Sequence, residues 1–143
     1  DIENGGEKMR TVIGVLVAFL PGSALAVTCD GSADFLTVEN WAVEEVAGVV
    51  SGIDISVDIK SNSLRPFRMI DASYTFEDTL GRYISGFKID PDLKAKPGET
   101  VTTTNGYMGS EMDRVLKMDR SDVVVSTCTR AVVYSDGSKE GFN

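Results

Sequence analysis

Residues 53–89 read IDISVDIKSNSLRPFRMIDASYTFEDTLGRYISGFKI, and their pattern decides the fold. Ile53, Ile55, Val57 and Ile59 alternate with Asp54, Ser56, Asp58 and Lys60, a period of two that gives a strand one apolar and one wet face. Turn chemistry at Ser61-Asn62-Ser63 and Pro66 ends that run. Ile70, Ala72, Tyr74 and Phe76 resume the alternation, Asp78-Thr79-Leu80-Gly81 turns the chain, and Tyr83, Ser85, Phe87 and Ile89 follow on one parity. Three consecutive antiparallel strands are expected, with an apolar face that needs a second sheet against it.

Upstream, residues 35–46 (FLTVENWAVEEV) have no cleanly apolar parity, which fits a first strand carrying a bulge or lying at an edge. A helix over residues 38–49 fits the same composition. Downstream, two prolines exclude residues 90–99 from a central strand. Residues 100–107 (TVTTTNGY) are threonine-rich and strand-like. In residues 110–118 (SEMDRVLKM) the period changes: Ser110 can cap a helix, and Met112, Val115 and Leu116 follow i, i+3, i+4 spacing. A short helix there and a further strand over residues 114–118 both fit. Residues 122–134 (DVVVSTCTRAVVY) form a long strand, closed by a terminal turn at Ser135-Asp136-Gly137-Ser138. The expected architecture is all-β: an immunoglobulin-like antiparallel β-sandwich of six to seven strands, with one short helix near residues 110–118 as the open alternative. Trp41 is not placed relative to the cysteines as in an antibody domain, so the expectation concerns architecture.

The chain has 143 residues, one domain's worth. Met9-Arg10 is a short basic start, residues 11–20 (TVIGVLVAFL) are apolar, Pro21-Gly22-Ser23 breaks the run, and Ala24-Leu25-Ala26 supplies the small residues a signal peptidase reads. Residues 9–26 therefore read as a secretory signal cut after Ala26. The apolar run is well short of the roughly 20 residues that span a bilayer. Residues 1–8 (DIENGGEK) read as a leader remnant or a mis-set start, and residues 27–143 as one sandwich domain, periplasmic or secreted. Cys29 does not follow the cut directly, which excludes lipid attachment there, and no membrane insertion is expected after cleavage.

Cys29 and Cys128 are the only cysteines. In an oxidising compartment an even pair reads as a disulfide, here tying the N-terminus to the last long strand. With no histidine in the chain and no CxxC, a zinc or redox reading lacks its residues. Acidic residues number 22 against 14 basic, and the expected mature chain keeps 19 against 12 once Asp1, Glu3, Glu7, Lys8 and Arg10 are removed. Such a surface, without a basic run, argues against nucleic acid and anionic membranes as partners.

Val57-Asp-Ile-Lys-Ser-Asn62, Pro66, residues 71–81 (DASYTFEDTLG), Leu93 and Lys96-Pro97-Gly98-Glu99-Thr100 resemble the FxLYD-type domains of bacterial exported proteins. The resemblance covers residues 53–104. It rests on a strand ending in asparagine, a hairpin in Tyr74-Thr-Phe76-Glu-Asp78-Thr-Leu80-Gly81, and a Pro-Gly-Glu turn. It implies an immunoglobulin-like β-sandwich and transfers no catalytic residue. The cysteine pair and residues 109–119 fall outside it.

Few residues of the chain suit catalysis. Without histidine the usual general base and triads are missing, and Gly48-Val-Val-Ser-Gly52 has neither the spacing nor the lysine of a phosphate loop. No catalytic residue, metal or cofactor is assigned, and the chain is not expected to be an enzyme. Asp54 and Asp58 share the wet face of their strand. Asp90-Pro91-Asp92 and the Asp119–Asp122 pair could offer oxygens to calcium, but match no twelve-residue calcium loop and fit Asx turns better. Met108, Met112 and Met118 lack partners for a copper site and read as core filling. Phe67, Tyr74, Phe76, Tyr83 and Phe87 read as core. Trp41, among Glu39, Asn40, Glu44 and Glu45, can be core or a partly exposed anchor. The function expected is a non-catalytic protein-protein interaction module, most simply for another envelope protein, acting through edge strands. Its candidate contact residues are Trp41, Thr100, Thr102 and Thr104. The alternative is a carrier of a small apolar or sugar ligand held between the sheets or beneath residues 109–119.

Overall fold

The computed structural model describes residues 28–48 and 52–143. The expected leader (1–8) and signal peptide (9–26) lie outside them. Among the described residues seven strands run in the order β1 (Leu36–Glu45), β2 (Gly52–Ser61), β3 (Phe67–Asp78), β4 (Tyr83–Lys88), β5 (Thr100–Met108), β6 (Val123–Tyr134) and β7 (Lys139–Gly141). One short helix, α1 (Asp113–Lys117), and a 3-10 turn at Arg120–Asp122 lie between β5 and β6. All pairings are antiparallel, β1-β2-β5 in one sheet and β4-β3-β6-β7 in the other. This is an all-β sandwich with the immunoglobulin-like pairings of second strand with fifth and third with sixth.

The fourth strand sets the character of the molecule. In the constant-type arrangement it flanks the fifth strand. Here β4 is hairpinned onto β3, pairing Tyr74 with Phe87 and Phe76 with Ser85. The fifth strand is left at the rim of the three-stranded sheet.

The interior follows the alternation. Ile53, Ile55, Val57 and Ile59 from β2 meet Ile70, Ala72, Tyr74 and Phe76 from β3, all buried. Phe67, Met112 and Val132 complete the layer, and Tyr74, Phe87 and Tyr107 pack ring on ring with centroids 5.4 Å apart in each contact. Each large side chain so buried stabilises the fold by roughly 1.5–3 kcal/mol. Thr129 is the exception: its hydroxyl is wholly buried and has no hydrogen-bond partner among the described residues.

Several details differ from the sequence reading. β2 does not pair with β3. The break at residues 62–66 carries the chain to the opposite sheet, with the buried Ser63 hydroxyl bonded to the Arg65 backbone. Tyr83 is not core: a register shift at Phe76 and Glu77 turns it outward, 54% exposed, and its hydroxyl reaches the space beside Gly86. Residues 38–45 are strand, not helix, and the expected bulge falls between Val38 and Asn40. Ser110 does not cap α1, which begins beyond Met112 with no side-chain cap. Met108 is exposed while Met112 is core. The terminal turn is followed by a seventh strand, β7, on the edge of β6.

Cys29 and Cys128 are disulfide-bonded, with Cα atoms 5.4 Å apart and a sequence separation of 99. The bond anchors the segment before β1 on β6, where Ser32 and Thr129 exchange two backbone hydrogen bonds of 2.8 and 2.9 Å. Gly31 is required there, since a Cβ would sit 2.2 Å from the Thr129 carbonyl oxygen. Arg130 pairs with Asp30 at 3.0 Å across the same junction.

Candidate functional site

The two rims of the three-stranded sheet are unlike each other. At the β1 rim, the Arg120 guanidinium donates to the Trp41 carbonyl and to Asn40 Oδ1, both at 2.7 Å, and lies 4.1 Å from the Trp41 ring centroid. Trp41 is itself half-buried, edge-on to Phe76 at 5.6 Å. Further along, the Thr127 hydroxyl donates to the Leu36 carbonyl. Two backbone acceptors at this rim are thus taken by side chains from residues 120 and 127. Trp41 joins the core through its perpendicular contact with Phe76 and is covered by Arg120 on a face.

The β5 rim is open. Ser61 N–H donates to the Glu99 carbonyl at 2.8 Å, which sets the phase of the ladder. Antiparallel strands alternate, so Val101, Thr103, Asn105 and Tyr107 aim their backbone groups at β2. Thr100, Thr102, Thr104, Gly106 and Met108 aim theirs away from the sheet. Among the described residues nothing pairs with those outward groups. The usual protections of an edge are lysine, proline or a bulge. β5 contains none of them between Thr100 and Met108.

Side-chain burial along β5 follows the same parity. Thr103 is buried and Asn105 half-buried, its amide donating to the Tyr74 hydroxyl at 2.6 Å. Burial raises the pKa of that phenol, and the Asn105 contact opposes the shift. Thr100, Thr102 and Thr104 stand on the outer face. Two of them are held by carboxylates from across the sheet: Thr100 Oγ1 donates to Glu39 at 2.9 Å, and Thr102 Oγ1 to Asp58 at 2.6 Å. Asp54, paired in register with Gly106, has an oxygen 3.8 Å from where a Cβ would stand on that glycine. The missing side chain leaves a notch at the rim. It opens on a shallow hollow of about 360 Å³ lined by Ala42, Glu44, Asp54, Ser56, Thr104 and Gly106. The structure thus brings the three threonines into one row at an open edge and leaves Trp41 at the opposite, covered edge.

Elsewhere the polar groups are structural. Asp90 accepts the Asp92 N–H in an Asx turn, and no group of carboxylates or cysteines suited to a metal occurs among the described residues. Asp78 is buried. Its carboxylate accepts from the Leu80 and Arg82 N–H groups at 2.9 Å and from Arg114 at 2.6 Å, joining the β3–β4 hairpin to α1. An apolar hollow of about 240 Å³ near Met69, Pro91 and Val133 lies on the outside of the other sheet. No described helix is long and apolar enough to cross a membrane. Comparison of the chain with family models, with curated proteins and with solved structures finds no match.

Proposed function

We propose that the domain is a non-catalytic interaction module of the extracytoplasmic space that binds a partner protein by strand addition to β5. The observation that carries this reading is the contrast between the rims: on β1 the Trp41 and Leu36 carbonyls are taken by Arg120 and Thr127, while on β5 none of the outward backbone groups over nine positions has a partner among the described residues. An added strand recovers those donors and acceptors in a regular ladder, which is how edge recognition gains affinity. Thr100, Thr102 and Thr104 contribute the side-chain face of that ladder. The FxLYD-type resemblance agrees with a module that carries no catalytic residues. The disulfide fits an exported protein, where such bonds persist.

A carrier of a small ligand between the sheets is less well supported. That space is filled by Tyr74, Phe67, Phe76, Ile55 and Ile59, each under 2% exposed. The test is a comparative capture with the oxidised chain and a Thr104→Pro variant. Proline removes one outward N–H and leaves the bonds to β2 intact. The reading predicts a near-stoichiometric protein retained by the native chain and lost from the variant. Equal capture by both excludes the β5 edge.

A further inference from the structure

We infer that the partner's strand is basic, carrying lysine or arginine at two positions four residues apart on the side chains that face outward. The inference rests on strand addition at β5 and adds the chemistry of what is added.

Asp54 and Asp58 stand on β2, four residues apart and on one face, so along the strand they are separated by about 13 Å. Both project toward the β5 rim, Asp58 to Thr102 Oγ1 and Asp54 over Gly106. A strand laid beside β5 places its residues opposite Thr102 and Gly106 next to these two carboxylates, with one outward residue between them opposite Thr104. At Gly106 the rim has no side chain of its own to stand between the added side chain and Asp54. Behind Asp54, Glu44 is its direct cross-strand partner, a pair of like charges side by side. None of Asp54, Asp58 and Glu44 has an ion-pair partner among the described residues. A long cationic side chain entering through the Gly106 notch relieves that repulsion, its stem lying in the hollow over Ala42 and Ser56.

The same charges disfavour the simplest rival occupant, a second copy of this chain. Pairing β5 with β5 would bring both sets of carboxylates to one face, between molecules that each carry a net charge of −8. The edge is therefore closed to itself and open to a strand of opposite sign.

The test is selection of a displayed library of random twelve-residue peptides against the oxidised chain, followed by binding measurements on the enriched sequences. Enriched peptides should carry Lys or Arg four apart, lose detectable binding to Thr104→Pro, and bind at least tenfold more weakly to Asp54→Asn/Asp58→Asn. Their affinity should also fall as salt is raised. The asparagines keep shape and hydrogen-bond acceptors, so a folded double variant isolates the charge. Peptides that need the β5 edge but ignore the double substitution would overturn the basic-strand inference and leave strand addition standing. If no enriched peptide is sensitive to Thr104→Pro, both fall.

Discussion

Asp78 shows how one carboxylate can organise a hairpin. The Arg82 N–H, the Arg114 guanidinium and the Leu80 N–H all stabilise its ionised form, holding its carboxyl below the ordinary aspartate range. An unfolded chain takes up that proton first as pH falls. The stabilisation is complete above the unfolded value of about 3.9 and is lost as pH drops through the lower folded value. Melting followed from pH 6 to pH 2 should show a decline beginning near pH 4, and Asp78→Asn should flatten it. An unchanged profile in the variant would assign the decline to other groups, Asp30 and Asp136 first among them, since their carboxyls are also held low. Thr129 presents the opposite case, a buried hydroxyl with no partner among the described residues. Leaving such a group unsatisfied costs roughly 1–3 kcal/mol. Thr129→Val, nearly the same shape, is expected to stabilise by about 1 kcal/mol in urea unfolding. Destabilisation would place a partner for that hydroxyl where none is now described.

At the level of elements, most strands were legible because each side of the core is written in a period of two. What stayed hidden was which strands pair. Nothing local in residues 53–89 distinguishes a three-strand meander from a crossing between sheets, since the break at residues 62–66 serves either. The fate of β4 depended on the hairpin at Asp78–Gly81, whereas the open β5 rim depended on β4 being elsewhere, a tertiary consequence. Thr100, Thr102 and Thr104 could be named from their row, but Gly106 gains meaning only once Asp54 is in register with it. The acidic neighbours of Trp41 leave core and partly exposed anchor both open. Arg120, 79 positions away, covers it and carried no local signal. The ladder phase gives a sharp test of β5. Thr104→Pro should keep the native melting temperature, because its N–H faces outward, whereas Thr103→Pro removes a bond to β2, leaves a carbonyl there unpaired and should cost roughly 1–3 kcal/mol. Equal damage from both substitutions would mean that the ladder runs in the other phase.

Over the whole molecule, the cysteine pair is legible from a count of two and an expected oxidising compartment. Its mechanical role is to hold the segment around Gly31 and Ser32 on β6. The bond closes a loop of 99 residues, and in the chain-entropy model such a closure contributes roughly 4–5 kcal/mol. Reduction, or a Cys29→Ser/Cys128→Ser variant, should lower unfolding stability by up to that amount without changing the sheet pairings. The open rim is best tested by residue-resolved amide hydrogen exchange along β5, in the free chain and with a peptide from the basic-strand selection. In the free chain Thr102, Thr104 and Gly106 should exchange fast while Val101, Thr103 and Asn105 exchange slowly. Bound peptide should slow the first set. Protection of both sets in the free chain, or peptide-induced slowing confined to β1 around Trp41, would contradict binding by strand addition at β5.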